Sequence, residues 1–229
     1  TYHKRKTVVV VLDPCCNYPV GYAVGDHESP ALIKAALRNA ILHIKSLTGT
    51  LLRVNQLQTD NYAIKSLTPL YAAIAARVTP ASVGNAKAKP VESYFDYLNT
   101  HYCQTQVNWA GKGVTSRGGK QPNQEALNLH RKYFPTSVEV VEQIAAIIEE
   151  ERRQKLEEYK GYLSALSDEY RLEMPRDRYL LHFGLDTGKT IALEANGFRP
   201  TLLGERRDYD CFDPSLRECS ISEKWTIKY

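Results

Sequence analysis

The chain offers little of what marks a membrane or secreted protein. Its apolar run at residues 8–12 ends after five positions at Asp13-Pro14, and no window approaches the roughly 18 unbroken apolar residues of a membrane span. It opens Thr-Tyr-His-Lys-Arg-Lys, without an initiator Met and without the layout of a signal peptide, and goes straight into an apolar stretch. This start is expected of a piece of a longer polypeptide. The five cysteines (Cys15, Cys16, Cys103, Cys211 and Cys219) are odd in number and show no C-x-x-C spacing, and the six histidines show no ligand spacing. A zinc site and a disulfide framework are therefore not expected, and a reducing cytoplasm is. There is no strong excess of one charge: 30 basic against 26 acidic residues leave a formal net charge of +4, which permits a nucleic-acid partner without requiring one.

What is present is ordinary globular material. With 43% hydrophobic and 24% charged residues over 229 positions, the chain has enough for one large domain or two small ones, and disorder, collagen and coiled-coil classes are excluded. The β-branched run at residues 7–12, turn chemistry at Asp13-Pro14 and Asn17-Tyr18-Pro19, and a second run at 20–24 predict a hairpin. Ser29 as N-cap, Pro30 at the first helical position and apolar residues at helical spacing predict a helix over 30–47, stopped by Gly49. A strand at 51–57, a helix at 64–76 and a short strand at 77–80 imply a βαβ crossover. Residues 81–89 are small and polar and lead to Pro90, which suits the first turn of a helix reaching Tyr102. Residues 108–124 hold four of the 13 glycines and read as a linker. A long helix is expected over 137–166, crossing between domains. Beyond Pro175, runs at 179–183, 190–193, 199–203 and 222–228 read as strands of a small all-β module.

The V-G-Y after the first hairpin turn (Val20 to Tyr22), the T-D-N closing the next strand (Thr59 to Asn61) and the A-K-x-K-x-V-E-x-x-F segment (Ala86 to Phe95) occur in one order over residues 7–102. In that order and spacing the region resembles the core of the retroviral-integrase superfamily, most closely the transposases of the bacteriophage Mu type. The tail, YLLHFGLDTGKTIALEANGFRP with YDCFDP and KWTIKY, resembles the small β-barrel that follows that core. The resemblance implies an α/β protein with an RNase H-like mixed-sheet core and basic linker over 1–135, a connecting helix over 136–170 and a β-barrel over 171–229.

The resemblance further implies a DNA transposase or integrase, in which three carboxylates hold two Mg²⁺ or Mn²⁺ ions about 4 Å apart for phosphodiester hydrolysis and strand transfer. Asp60 and Glu92 correspond to the second and third of these. In the family the first lies on a strand preceding the one that begins here at Thr7, so the parent protein is expected to be the enzyme and this piece inactive. Asp13 is the acidic residue that stands open as a substitute. The alternative is a non-catalytic DNA-binding or transpososome-assembly module derived from such an enzyme, and an RNase H-like nuclease is a third reading.

Expected partners are transposon-end and target DNA and further copies in the DNA complex, with no membrane, in a bacterial or phage-infected cytoplasm near the nucleoid. Lys87 and Lys89 flank the loop before Glu92. Lys89, one helical turn ahead of it, suits a phosphate and would lower the pKa of the carboxyl. Between 107 and 135, five basic residues (Lys112, Arg117, Lys120, Arg131, Lys132) face one acidic residue (Glu125), a local net of +4, with Trp109 as a stacking group. Arg178, Lys189, Arg199, Arg206, Arg207 and Lys228 are further phosphate candidates on the tail.

Overall fold

The computed structural model describes residues 5–59, 62, 64–80, 90–111, 124–194, 197–210, 213–220 and 223–229. The chain is a mixed α/β protein whose contacts group it into two compact units, Thr1–Glu173 and Met174–Tyr229.

Strands β1 (Thr7–Asp13) and β2 (Tyr18–Gly25) form the expected antiparallel hairpin. Asp13 builds the turn by accepting the Cys15 N–H at 3.1 Å, and Asn17 takes the left-handed conformation there, with φ 52°. Val11 pairs with Gly21 and Leu12 with Pro19, so Val20 is the extra residue of a β-bulge. A bulge leaves backbone groups off the ladder, and Pro19 has no N–H to contribute to it.

Helix α1 (Pro30–Thr48) starts where Ser29 Oγ accepts from the Leu32 N–H at 3.2 Å and ends at Gly49, whose φ of 79° places it in the left-handed region. Its buried residues Ala36, Leu37, Ala40 and Ile41 follow the helical repeat. The small residues let it approach β2 closely. A Cβ on Gly21 would lie 2.5 Å from the Ala36 carbonyl oxygen and 2.5 Å from the Ala40 Cβ. The glycine of V-G-Y is therefore a packing requirement.

The βαβ expectation holds, with β3 (Val54–Thr59) parallel to β4 (Ala75–Pro80) across α2 (Ile64–Ile74). Helix α2 passes into β4 without a loop, and the Arg53 guanidinium caps the junction through the Ala72 carbonyl at 3.1 Å and the Ala75 carbonyl at 2.8 Å. Helix α3 (Pro90–His101) and a short helix α4 (Gln124–His130) precede the long α5 (Ser137–Ala165). Thr136 and Glu139 open α5 with a reciprocal capping box. Rather than standing between two domains, α5 belongs to the first unit and lies on the hairpin. There Tyr18, Val20, Ala40 and Tyr159 form a buried cluster lined by Val11, Ile44, Leu156 and Leu163. The rings of Tyr18 and Tyr159 stack at 4.0 Å.

In the second unit the expected strand at 179–183 is a helix, α6 (Arg176–Phe183). The aromatic run reads as β, but Tyr179 and Phe183 are four apart and their rings meet at 5.3 Å, while Pro175 and Asp177 supply a helix start. Strand β5 (Asp186–Ala192) pairs antiparallel with β8 (Lys224–Lys228), and β6 (Thr201–Leu202) with β7 (Glu205–Arg206), with helix α7 (Pro214–Ser220) between β7 and β8. The unit is thus α/β and not all-β, and among the described residues its strands make two separate pairs without closing a barrel.

Candidate functional site

Glu92 is exposed and occupies the first turn of α3, where the helix dipole favours a negative group. Pro90 opens the helix, as its fixed φ and missing N–H predict. The face that holds α3 in place carries Tyr94 and Leu98, both buried. Glu92 lies well round the axis from them, so the packing that fixes the helix leaves this carboxylate outward. Asp60, its expected partner, lies outside the described residues, as do Lys87, Lys89, Lys112, Arg117 and Lys120. Arg131 and Lys132 are described and exposed on a single 3-10 turn, Arg131–Tyr133. The Lys132 ammonium sits 4.9 Å from the centre of the exposed Tyr133 ring. Trp109 is half-buried, with its indole N–H donated to Asn99 Oδ1 at 2.9 Å, so its ring is tied to the end of α3.

Asp13 is fully engaged. Its second carboxylate oxygen accepts the Tyr159 hydroxyl at 3.2 Å, while the first holds the hairpin turn. Burial, with Asp13 beside it, raises the Tyr159 hydroxyl well above the ordinary phenol range. Burial and the hydrogen bond to Asp13 likewise raise the Cys15 thiol. That removes thiolate character from a cysteine for which no catalytic role was expected.

The most heavily built polar site in the molecule was not expected. Glu151 is 0% exposed and Arg152 6%. Glu151 Oε1 accepts the Tyr102 hydroxyl at 2.6 Å and the Tyr97 hydroxyl at 2.9 Å, and its Oε2 lies 2.8 Å from the Lys155 ammonium. Burial alone would raise this carboxyl, but the bonds from Lys155, Tyr102 and Tyr97 outweigh it and hold it below the usual carboxylate range. Arg152 turns the other way. Its guanidinium donates to the Pro19 carbonyl at 2.8 Å, the Val20 carbonyl at 2.8 Å and Asn39 Oδ1 at 2.8 Å, and so takes up both carbonyls of the bulged stretch of β2. The signal was in the sequence: the apolar stripe of α5 runs through Ile148, Leu156 and Tyr159, and the core-phased turn between Ile148 and Leu156 is filled by Glu151, Arg152 and Lys155. Charged residues on an otherwise buried stripe mark buried partners.

Among the described residues no three His, Cys, Asp or Glu side chains cluster as a metal site, and no helix is long and apolar enough to cross a membrane. Comparison of the chain with protein-family models, with curated proteins and with solved structures finds no match in any of the three.

Proposed function

We propose that the chain is a piece of a DNA transposase or integrase, with an RNase H-like core in the first unit and a DNA-contacting α/β module in the second. The parent protein would carry out metal-dependent phosphodiester hydrolysis and strand transfer. The observation that carries this reading is the element order of the first unit: an antiparallel hairpin, a helix, a parallel βαβ pair, and then a helix with an exposed carboxylate, Glu92, on its first turn. The T-D-N motif follows directly on β3, at the carboxyl end of a parallel strand, where open α/β sheets gather their sites.

Glu92 alone does not make up the donor set of two Mg²⁺ or Mn²⁺ ions, which need several carboxylate oxygens. In this reading Asp60 and an acidic residue of a preceding strand complete it. Bound ions would activate a water or a DNA 3′-hydroxyl and stabilise the leaving oxygen. The chain's own part is to hold Glu92 outward on a rigid helix and to present Arg131 and Lys132 to phosphates. One observation favours a binding or assembly module: Asp13, the acidic residue considered as a substitute for the first ligand, has both oxygens committed to the turn and to α5.

The test is a strand-transfer assay with Mn²⁺ on this chain and on the polypeptide extended upstream through a preceding acidic strand. The longer polypeptide is expected to act and this chain to be silent. Asp60→Asn or Glu92→Gln should lower transfer by about a thousandfold, the several kcal/mol a lost metal ligand removes. This chain should still bind duplex DNA without sequence preference, with log K falling against log[salt] at a slope of roughly −4 to −5. No DNA binding at low salt together with no transfer by the longer polypeptide sinks the reading.

A further inference from the structure

Apolar and directed contacts both hold helix α3. Tyr94 and Leu98 are buried and lie four residues apart, an apolar stripe one side chain wide. A stripe that narrow fixes which side of the helix faces inward but leaves the rotation about its axis soft, because apolar contact is non-directional. Directed contacts from Tyr97, and from Tyr102 just past the helix, converge on one turn of α5. The Tyr97 and Tyr102 hydroxyls share Glu151 Oε1. The Lys155 ammonium paired with Oε2 stands 5.4 Å and 5.3 Å from the ring centres of Tyr94 and Tyr97. The adjacent Arg152 locks the same turn of α5 to β2 and α1 through Pro19, Val20 and Asn39.

Stability does not account for this arrangement. Burying a carboxylate costs several kcal/mol even when it is paired, and replacing a buried charged pair as a whole by apolar side chains of similar volume is commonly neutral or stabilising. A buried carboxylate supplies direction: two hydroxyls must reach one oxygen, and α3 with Tyr102, the residue that follows it, satisfies both at one rotation. We propose that Glu151 is the positioning residue that sets the rotation of α3 and thereby the direction of the Glu92 carboxylate. This rests on the reading of Glu92 as a metal ligand. With side chains about 5–6 Å from a helix axis, a turn of about 20° displaces a carboxylate by about 2 Å. That is the full length of a Mg²⁺–oxygen bond.

The experiment compares Glu151→Leu, Glu151→Gln and the double variant Tyr97→Phe, Tyr102→Phe. Backbone hydrogen exchange of this chain is read over residues 90–101, with the hairpin and α1 as internal controls. Glu151→Leu is expected to speed exchange in α3 by roughly 10- to 100-fold, the strength of hydrogen bonds to a charged group, and to leave the hairpin and α1 unchanged. Glu151→Gln keeps an acceptor oxygen and should rescue most of the protection. In the longer polypeptide Glu151→Leu should lower kcat for strand transfer by about a hundredfold, the effect of a misplacement of about 1 Å. KM for DNA should not move.

Unaltered α3 exchange in Glu151→Leu overturns the proposal, as does equal loss of protection in the hairpin, which marks a general destabilisation. Should Glu151→Leu fail to fold, the Tyr-to-Phe double variant decides, since it keeps the ion pair with Lys155 and removes only the directing hydroxyls. Failure of the underlying reading looks different: α3 loosens as expected, yet neither Glu151→Leu nor Glu92→Gln affects transfer. If Glu92→Gln abolishes transfer and Glu151→Leu leaves it intact, Glu92 is the ligand and Glu151 is not its positioner.

Discussion

The two strand pairs of the first unit solve the same problem with different means. The pair β1 and β2 is antiparallel, joined by a four-residue turn at 14–17, and lies under α1 and α5. The pair β3 and β4 is parallel, so its connection must be a crossover, and β3 presents Asn55, Gln56 and Gln58 to solvent. Each pair has an arginine that takes up two carbonyls, at the hairpin those of the bulge and at the parallel pair those where α2 runs into β4. Arg152 reaches Pro19 and Val20 from the interior, while Arg53 reaches Ala72 and Ala75 from a half-buried site. Where water can replace a donor, losing it costs little; where water is excluded, losing it leaves orphaned acceptors. The hairpin is therefore the half whose off-ladder carbonyls depend on a residue more than a hundred positions away, while those at the α2–β4 junction are met by Arg53, 19 and 22 positions away.

Arg152→Ala attacks that contrast most directly. It removes the donor from two buried carbonyls and the part-buried Asn39 Oδ1, and a loss of about 4 kcal/mol in the free energy of unfolding is expected from chemical denaturation. A value near that of an exposed arginine would mean that the bulge carbonyls find other partners. Gly21→Ala puts a methyl against the backbone of α1 and should cost about 2–3 kcal/mol.

A pH titration of stability sharpens the comparison on the hairpin side. Burial, helped by the nearby Arg152 charge, pushes the His43 imidazole down to about 4 from its ordinary 6.5. Its ring nitrogen lies 2.9 Å from the Tyr18 hydroxyl. Because the folded-state value is the lower one, the unfolded chain binds the proton first. The His43 contribution is full above pH 6.5 and is lost as pH falls toward 4. The urea midpoint should decline across that window, and His43→Gln should flatten the decline. On the parallel pair, Arg53→Ala is the smallest effect, about 1 kcal/mol, since the Ala72 carbonyl is in the last turn of a helix that water can reach and the Ala75 bond is only part-buried. Equal losses for Arg53→Ala and Arg152→Ala would erase the distinction.

Local chemistry made much of the first unit legible. Ser29-Pro30, Gly49, Asp13 with Asn17, and Pro90 marked element ends within a residue or two, because caps and turns are decided by neighbours in sequence. The strand at 179–183 was misread because an aromatic run fits a pleated surface as readily as it fits one face of a short helix, and only the partner of Phe183 separates the two. The helix carrying Glu92 was legible through Pro90, and Glu151 was passed over because a helix rich in Glu, Arg and Lys is assumed to turn all of them to solvent. That assumption fails where the partners, Tyr97, Tyr102, Pro19 and Val20, lie some fifty or more positions away.

By itself the sequence determined the order of elements through α3, the hairpin with its turn and the helix that carries Glu92. These follow from backbone sterics, capping and periodicity within a few residues. Tertiary structure alone decided that α5 lies on the hairpin, that a β-bulge leaves two carbonyls for Arg152, and that Glu151 is buried beneath two tyrosine hydroxyls. The energy of a buried charge depends on which groups surround it, and those groups come together only when distant parts of the chain fold against one another.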